Sequence, residues 1–168
     1  MEILTLRLPN CATATAESAR KALGLLISKS RQFGNFPFEA FSSLYESLVI
    51  PRMDYGAGVW GYKTFPKLQT IQNKAIRHVM GVGKNCPVDL LEGDSGWIPV
   101  PCRLQFEMLK LWHHLATMDD SRLTKKIFKW SLALANKGKS SWCFHVKKLL
   151  TDIDLGHLNP ENVTKISA

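Results

Sequence analysis

Apolar residues recur at helical spacing along most of this chain, and prolines and glycines cut the pattern into segments of helix length. A helix predicted over residues 15–30 places Ala19, Ala22, Leu23, Leu26 and Ile27 on one face. Gly34 then breaks the chain. Asn35 as a cap and Pro37 in the first turn start a second helix with the stripe Phe38, Phe41, Leu44, Tyr45, Leu48 and Val49. Pro51 lacks the N–H that the ladder needs and clashes with the preceding turn, so it kinks that helix or ends it and starts another. A third long helix over 66–80 turns Leu68, Ile71, Ala75, Ile76 and Val79 inward and leaves Gln72, Lys74, Arg77 and His78 toward an edge.

The same reasoning gives a short helix near 87–91 and a long one over 101–118 with the stripe Leu104, Met108, Leu111 and Leu115. Two more are expected over 121–136 and 140–151. In the first of these, Leu123, Ile127, Trp130 and Leu134 form the apolar stripe expected to face inward. Glu2 to Leu8 instead alternates, with Leu4, Leu6 and Leu8 on one side, which predicts a short strand ended by Pro9. The fold class expected is therefore all-α, a multi-helix bundle with one short N-terminal strand. The best boundary lies at 119–121, separating residues 1–118 from a basic helical extension, 119–168. No apolar run is long enough to cross a membrane, and no membrane partner is expected.

The 168 residues carry a net charge of +8 at ordinary composition, 45% hydrophobic and 21% charged, which suits a folded domain with a polyanionic partner. The charge is uneven. Arg122, Lys125, Lys126, Lys129, Lys137, Lys139, Lys147 and Lys148 fall within 121–150, where there is no Asp or Glu. Phe128, Trp130, Trp142 and Phe144 interleave with them, the mixture that neutralises phosphates and stacks bases.

Enzyme and metal motifs fail on spacing. Cys11, Cys86, Cys102 and Cys143 form no C-x-x-C pair, and Cys143-Phe144-His145 lacks partner ligands, so neither a metal nor any other cofactor is expected. Without a secretory leader to imply an oxidising compartment, an intracellular location, nuclear or cytoplasmic, is expected. Gly93-Asp94-Ser95-Gly96 matches the residues round the nucleophile of trypsin-like proteases, but Trp97 follows where a glycine is needed and the chain is helical. Gly81-Val82-Gly83-Lys84 has the composition of a phosphate loop without its Gly-Lys-Ser/Thr order. Asp119-Asp120 ends one helix and precedes Ser121-Arg122, a position suited to capping the next.

The order Ala22-Leu23, Leu44-Tyr45, Val49, Pro51, Tyr55-Gly56, Trp60, Leu68, Gln72, Arg77, Gly81, Gly93, Gly96 and Pro99 resembles the region after the palm of non-LTR (LINE-type) retrotransposon reverse transcriptases. The likeness covers roughly residues 15–118. It implies a helical thumb and connection that hold template and primer. Tyr45, Pro51, Tyr55, Gly56, Trp60 and Gln72 carry the family pattern, and packing and orienting helices is the role expected for the aromatics. In that family two metals are held by palm carboxylates, two of them adjacent on a hairpin. Asp119-Asp120 stands on the wrong side of the matched region for that role.

The function expected is therefore that of a fragment or remnant of an RNA-directed DNA polymerase that binds nucleic acid without polymerising alone. Its partners would be RNA–DNA hybrid, RNA or DNA, and the remainder of a reverse transcriptase. The residues expected on phosphate are Arg77, Lys84, Lys125, Lys126, Lys129, Lys147 and Lys148. The alternative is a helical protein-interaction module docking through an apolar face of Phe36, Phe38, Phe41 and Leu4, Leu6 and Leu8.

Overall fold

A computed structural model of the chain describes residues 3–158, with side chains from residue 11 onward. The all-α expectation holds among the described residues, where there are helices and no strand. The first helix, α1, runs Ile3–Gln32 and takes up the backbone of 3–8, so the short strand expected there is replaced by helix. A lone strand leaves its N–H and C=O groups without a ladder partner, whereas a helix satisfies them within the segment. Leu4, Leu6 and Leu8 have side chains outside those described.

The chain packs as two compact units, Met1–Tyr55 with Thr64–Arg103, and Gly56–Lys63 with Leu104–Ala168. In the first, α1 lies against α2 (Phe38–Leu48), α3 (Ile50–Met53) and α5 (Pro66–Val79), and α5 also meets α6 (Val88–Ser95). The expected face of α1 is buried, Ala19, Ala22, Leu23, Leu26 and Ile27, extended by Ala12, Thr15 and Ala16 toward the N-terminus.

Local chemistry explains most breaks. Asn35 takes a left-handed φ of 67° and Pro37, not Asn35, occupies the cap position of α2. The Ser30 hydroxyl accepts from Phe36 N–H at 3.0 Å, fixing the connection from inside. Pro51 ends α2 and sits in the first turn of α3, where its missing N–H costs nothing. Gly81 (φ 68°) closes α5, and Gly96 (φ 67°) closes α6, so Gly93, Asp94 and Ser95 belong to the helix.

Within the first unit the side chains near its polar centre interlock. Arg103 Nε donates to Asp54 Oδ2 at 2.6 Å, and its Nη1 donates to Gln72 Oε1 at 2.9 Å. Gln72 in turn donates to Ile98 O at 3.0 Å. Gln72 is only 1% exposed, which corrects the edge position expected for it. A buried amide is tolerated because both its ends are bonded. Beside it, the Tyr45 ring stacks on Trp97 at 4.3 Å and its hydroxyl donates to Met53 Sδ at 3.5 Å. Burial pushes the Tyr45 phenol well above its usual range.

The second unit holds α4 (Ala57–Trp60), most of α7 (Val100–Thr117), α8 (Leu123–Asn136) and α9 (Trp142–Asp152). Met108, Trp112, Phe128, Ala135, Cys143, Val146, Leu149 and Leu150 make its core. Trp142 Nε1 donates to Gly58 O at 2.9 Å, satisfying a half-buried indole. The expected inward stripe of α8 is corrected. Leu123, Ile127 and Trp130 are 72%, 55% and 57% exposed, and Lys125, Phe128 and Ala135 point inward instead. The helix turns its face that carries Phe128 and the small Ala135 toward α9.

Asp119 and Asp120 do not cap α8, whose cap position is Arg122. Asp119 Oδ1 instead accepts from Ser121 N–H at 2.8 Å, closing a turn one step earlier.

Gly61 leaves the least room for a Cβ among the glycines of this unit. A Cβ there would run into Leu104 O and would lie 2.7 Å from Ala57 O, both backbone atoms that cannot swing aside. At Gly58 the Cβ would meet Leu111 Cβ and Cδ2, both at 3.0 Å, and Glu107 O at 3.3 Å, looser than the contacts at Gly61. Gly61→Ala is therefore expected to destabilise by about 3 kcal/mol or more, the upper end for overpacking, and Gly58→Ala by less. Urea unfolding of the two variants checks the order.

Candidate nucleic-acid interface

The first unit carries a concavity of about 740 Å³ along the C-terminal parts of α1 and α5 and the turn that follows α5. Arg31 enters from α1, Lys74 and Arg77 from α5, and Lys84 from the turn. Thr70, Asn73 and His78 add polar groups, Ile27 and Val82 add carbon surface, and no Asp or Glu lines the wall. Helical spacing brings Lys74 and Arg77 together, three positions apart on one face. Arg31 joins them only because α1 packs on α5.

The turn is held by backbone bonds from Gly81 N–H to His78 O at 3.3 Å and from Val82 N–H to Arg77 O at 3.1 Å. These occupy carbonyls whose partial negative charge would otherwise oppose an anion at this helix end. Arg77 Nη2 donates to Cys86 O at 3.2 Å, while its buried Nε–H has no partner. The guanidinium is thus placed by the turn yet incompletely satisfied. None of the four cations pairs with a carboxylate among the described residues.

His78 stands beside this cluster, 5.3 Å from the Phe41 ring centre. Burial, then the neighbouring Arg31 charge, hold its imidazole below the ordinary value of 6.5. The fold therefore favours neutral His78. The stability this contributes is fully present above pH 6.5 and is lost as the pH falls through the lowered folded-state value. NMR titration should place the His78 midpoint below 6.5, and His78→Gln should reduce the acid-side loss of stability. His145, shifted the same way by burial and then Lys63 and Lys148, accounts for a further part.

The other residues expected on phosphate are placed differently. Lys125 is 6% exposed, and its ammonium donates to Leu115 O at 2.9 Å and Ala116 O at 2.6 Å. It closes the C-terminal end of α7, where free carbonyls attract a cation, and lies 5.5 Å from the Phe128 ring centre. That removes it from the candidate phosphate contacts. Lys129 pairs with Asp120 at 2.8 Å on the surface. Lys147 donates to Asn136 Oδ1. Lys126 and Lys148 are exposed. The structure thus brings Arg77 and Lys84 together in one concavity, and leaves Lys126, Lys129, Lys147 and Lys148 in the second unit. Arg31 and Lys74 are the cations that the sequence reading missed. The three-residue step from Lys74 to Arg77 was a usable signal, but nothing local pointed to Arg31.

Lys125→Met should lower stability by about 1–3 kcal/mol, the cost of leaving buried carbonyls unmet, and thermal unfolding checks it.

Of the residues that carry the family pattern, Tyr45 and Gln72 are buried in the first unit, and Trp60 is buried in the second. Pro51 starts α3, and Gly56, at φ 71°, precedes α4 with the Trp60 ring 3.3 Å from where a Cβ would lie. Tyr55, by contrast, is 77% exposed, which corrects the packing role expected for it. The apolar face proposed from sequence does not assemble as written: Phe41 is fully buried, while Phe38 is half-buried and packs 6.5 Å from the Trp97 ring centre. Among the described residues no helix is long and apolar enough to cross a membrane. No family model, curated protein or solved structure matches the chain.

Proposed function

We propose that this chain binds the phosphate backbone of nucleic acid, as a thumb-like piece of a reverse transcriptase of the non-LTR type. The observation that carries the reading is the concavity lined by Arg31, Lys74, Arg77 and Lys84 with no carboxylate. Cations on such a surface displace the counterions condensed on the phosphates, and the release of those ions is the dominant source of non-specific nucleic-acid affinity. The sequence likeness supports the family, and the burial of Tyr45 and Trp60 fits the packing role that the likeness implies for them. Polymer chemistry would rest with the palm of such an enzyme, and this chain would hold template and primer beside it. RNA–DNA hybrid, RNA and DNA are all candidate ligands, because backbone contacts carry little base information.

A second reading, a helical module that docks another protein, is favoured by one observation: Leu123, Ile127 and Trp130 form an exposed apolar ridge on α8.

Salt separates the two. Binding of labelled hybrid, duplex DNA and single-stranded RNA should weaken as salt rises, with a negative log–log slope. Removing one cation, Lys74→Gln or Lys84→Gln, should reduce the slope by about one. Salt-insensitive binding, or slopes unchanged in both variants, would remove the cavity from the interface. Replacing Trp130 with Glu tests the ridge, and should leave this slope unchanged.

A further inference from the structure

We infer that the basic concavity of the first unit receives the terminal phosphate of a nucleic-acid strand, a phosphomonoester, in preference to the diesters inside the strand. This rests on the nucleic-acid reading of the same site and adds which part of the ligand it selects. Three features point to an end.

Shape comes first. An internal phosphate has a sugar on each side and runs along a surface, whereas a terminal one has a single attachment and can descend into a hollow. The hollow measures about 740 Å³. That volume has room for a phosphate together with its nucleoside, by comparison with ligand sites of roughly 300–1,000 Å³. Ile27 and Val82 supply carbon surface for a sugar or base.

Charge is the second feature. Arg31, Lys74, Arg77 and Lys84 converge on one volume without an opposing carboxylate. A diester brings a single negative charge, while a phosphomonoester carries about −1.5 to −2 at pH 7 and three acceptor oxygens. The excess of cations over one diester is better matched by the monoester.

Donor supply is the third. Arg77 commits Nη2 to Cys86 O and leaves Nε–H without a partner. Asn73 accepts from Gln69 at its Oδ1, at 2.9 Å, and no protein acceptor takes its amino group among the described residues.

The test uses one short oligonucleotide in three forms, with a 5′-phosphate, with a 3′-phosphate and with neither, titrated against the whole chain at a single salt concentration. One phosphorylated form should bind at least about tenfold tighter than the unphosphorylated one, as charge-assisted contacts to an added phosphate require. Phosphatase treatment should abolish the difference, and inorganic phosphate should compete. Arg77→Gln should remove the preference, and so should Lys84→Gln, whose exposed side chain can be changed without disturbing the core. Lys126→Gln, in the other unit, should keep it. If all three forms bind within about twofold, terminal recognition is overturned while backbone binding stands. If inorganic phosphate binds and no oligonucleotide does, both readings fall.

Discussion

The Arg103 side chain holds together parts of the first unit that lie far apart in sequence. It ion-pairs with Asp54, donates to Gln72 and reaches the Met53 sulfur at 3.9 Å, linking α3 and α5 to the start of α7. Both charged groups of the pair are largely covered, at 13% and 14% exposure. Burying a charge pair costs desolvation, and the arrangement is tolerable because further donors and acceptors surround it. What the pair contributes is position. With Gln72 fixed between Arg103 and Ile98, the register of α5 against its neighbours is set, and α5 carries half of the cations in the basic concavity.

Cations in this chain divide into those that build the fold and those without a carboxylate partner among the described residues. Arg103 and Lys125 belong to the first group, one within a polar centre and the other on the carbonyls that end α7. Arg31, Lys74 and Lys84 belong to the second, since no carboxylate among the described residues answers them. Arg77 stands between the groups, held by one carbonyl of the turn and unsatisfied at Nε. Counting basic residues along the sequence cannot make this division. A run such as Lys125-Lys126 looks uniform until one ammonium proves to be inside and the other outside.

Much of the helical order was legible because it depends on local rules. Pro51 and Gly96 end or restart helices through backbone chemistry that needs no tertiary partner. The face of α1 was readable too, since Ala19, Leu23 and Leu26 repeat at helical spacing. The face of α8 was not. Its apolar residues span more than one side of the helix, so periodicity allowed two stripes, and packing against α9 chose the one containing Phe128. Gln72 misled for a related reason: a polar side chain on a helix is expected outside unless a partner waits within, and Arg103 is 31 residues away.

By itself, then, the sequence determined an all-α chain, the sites where its helices break, and a net positive charge. Those properties follow from hydrogen bonding within a few residues and from composition. The tertiary structure decided which cations are available and where they converge. Arg31 reaches Lys74, Arg77 and Lys84 only through the packing of α1 on α5, a long-range contact with no local signature in the sequence.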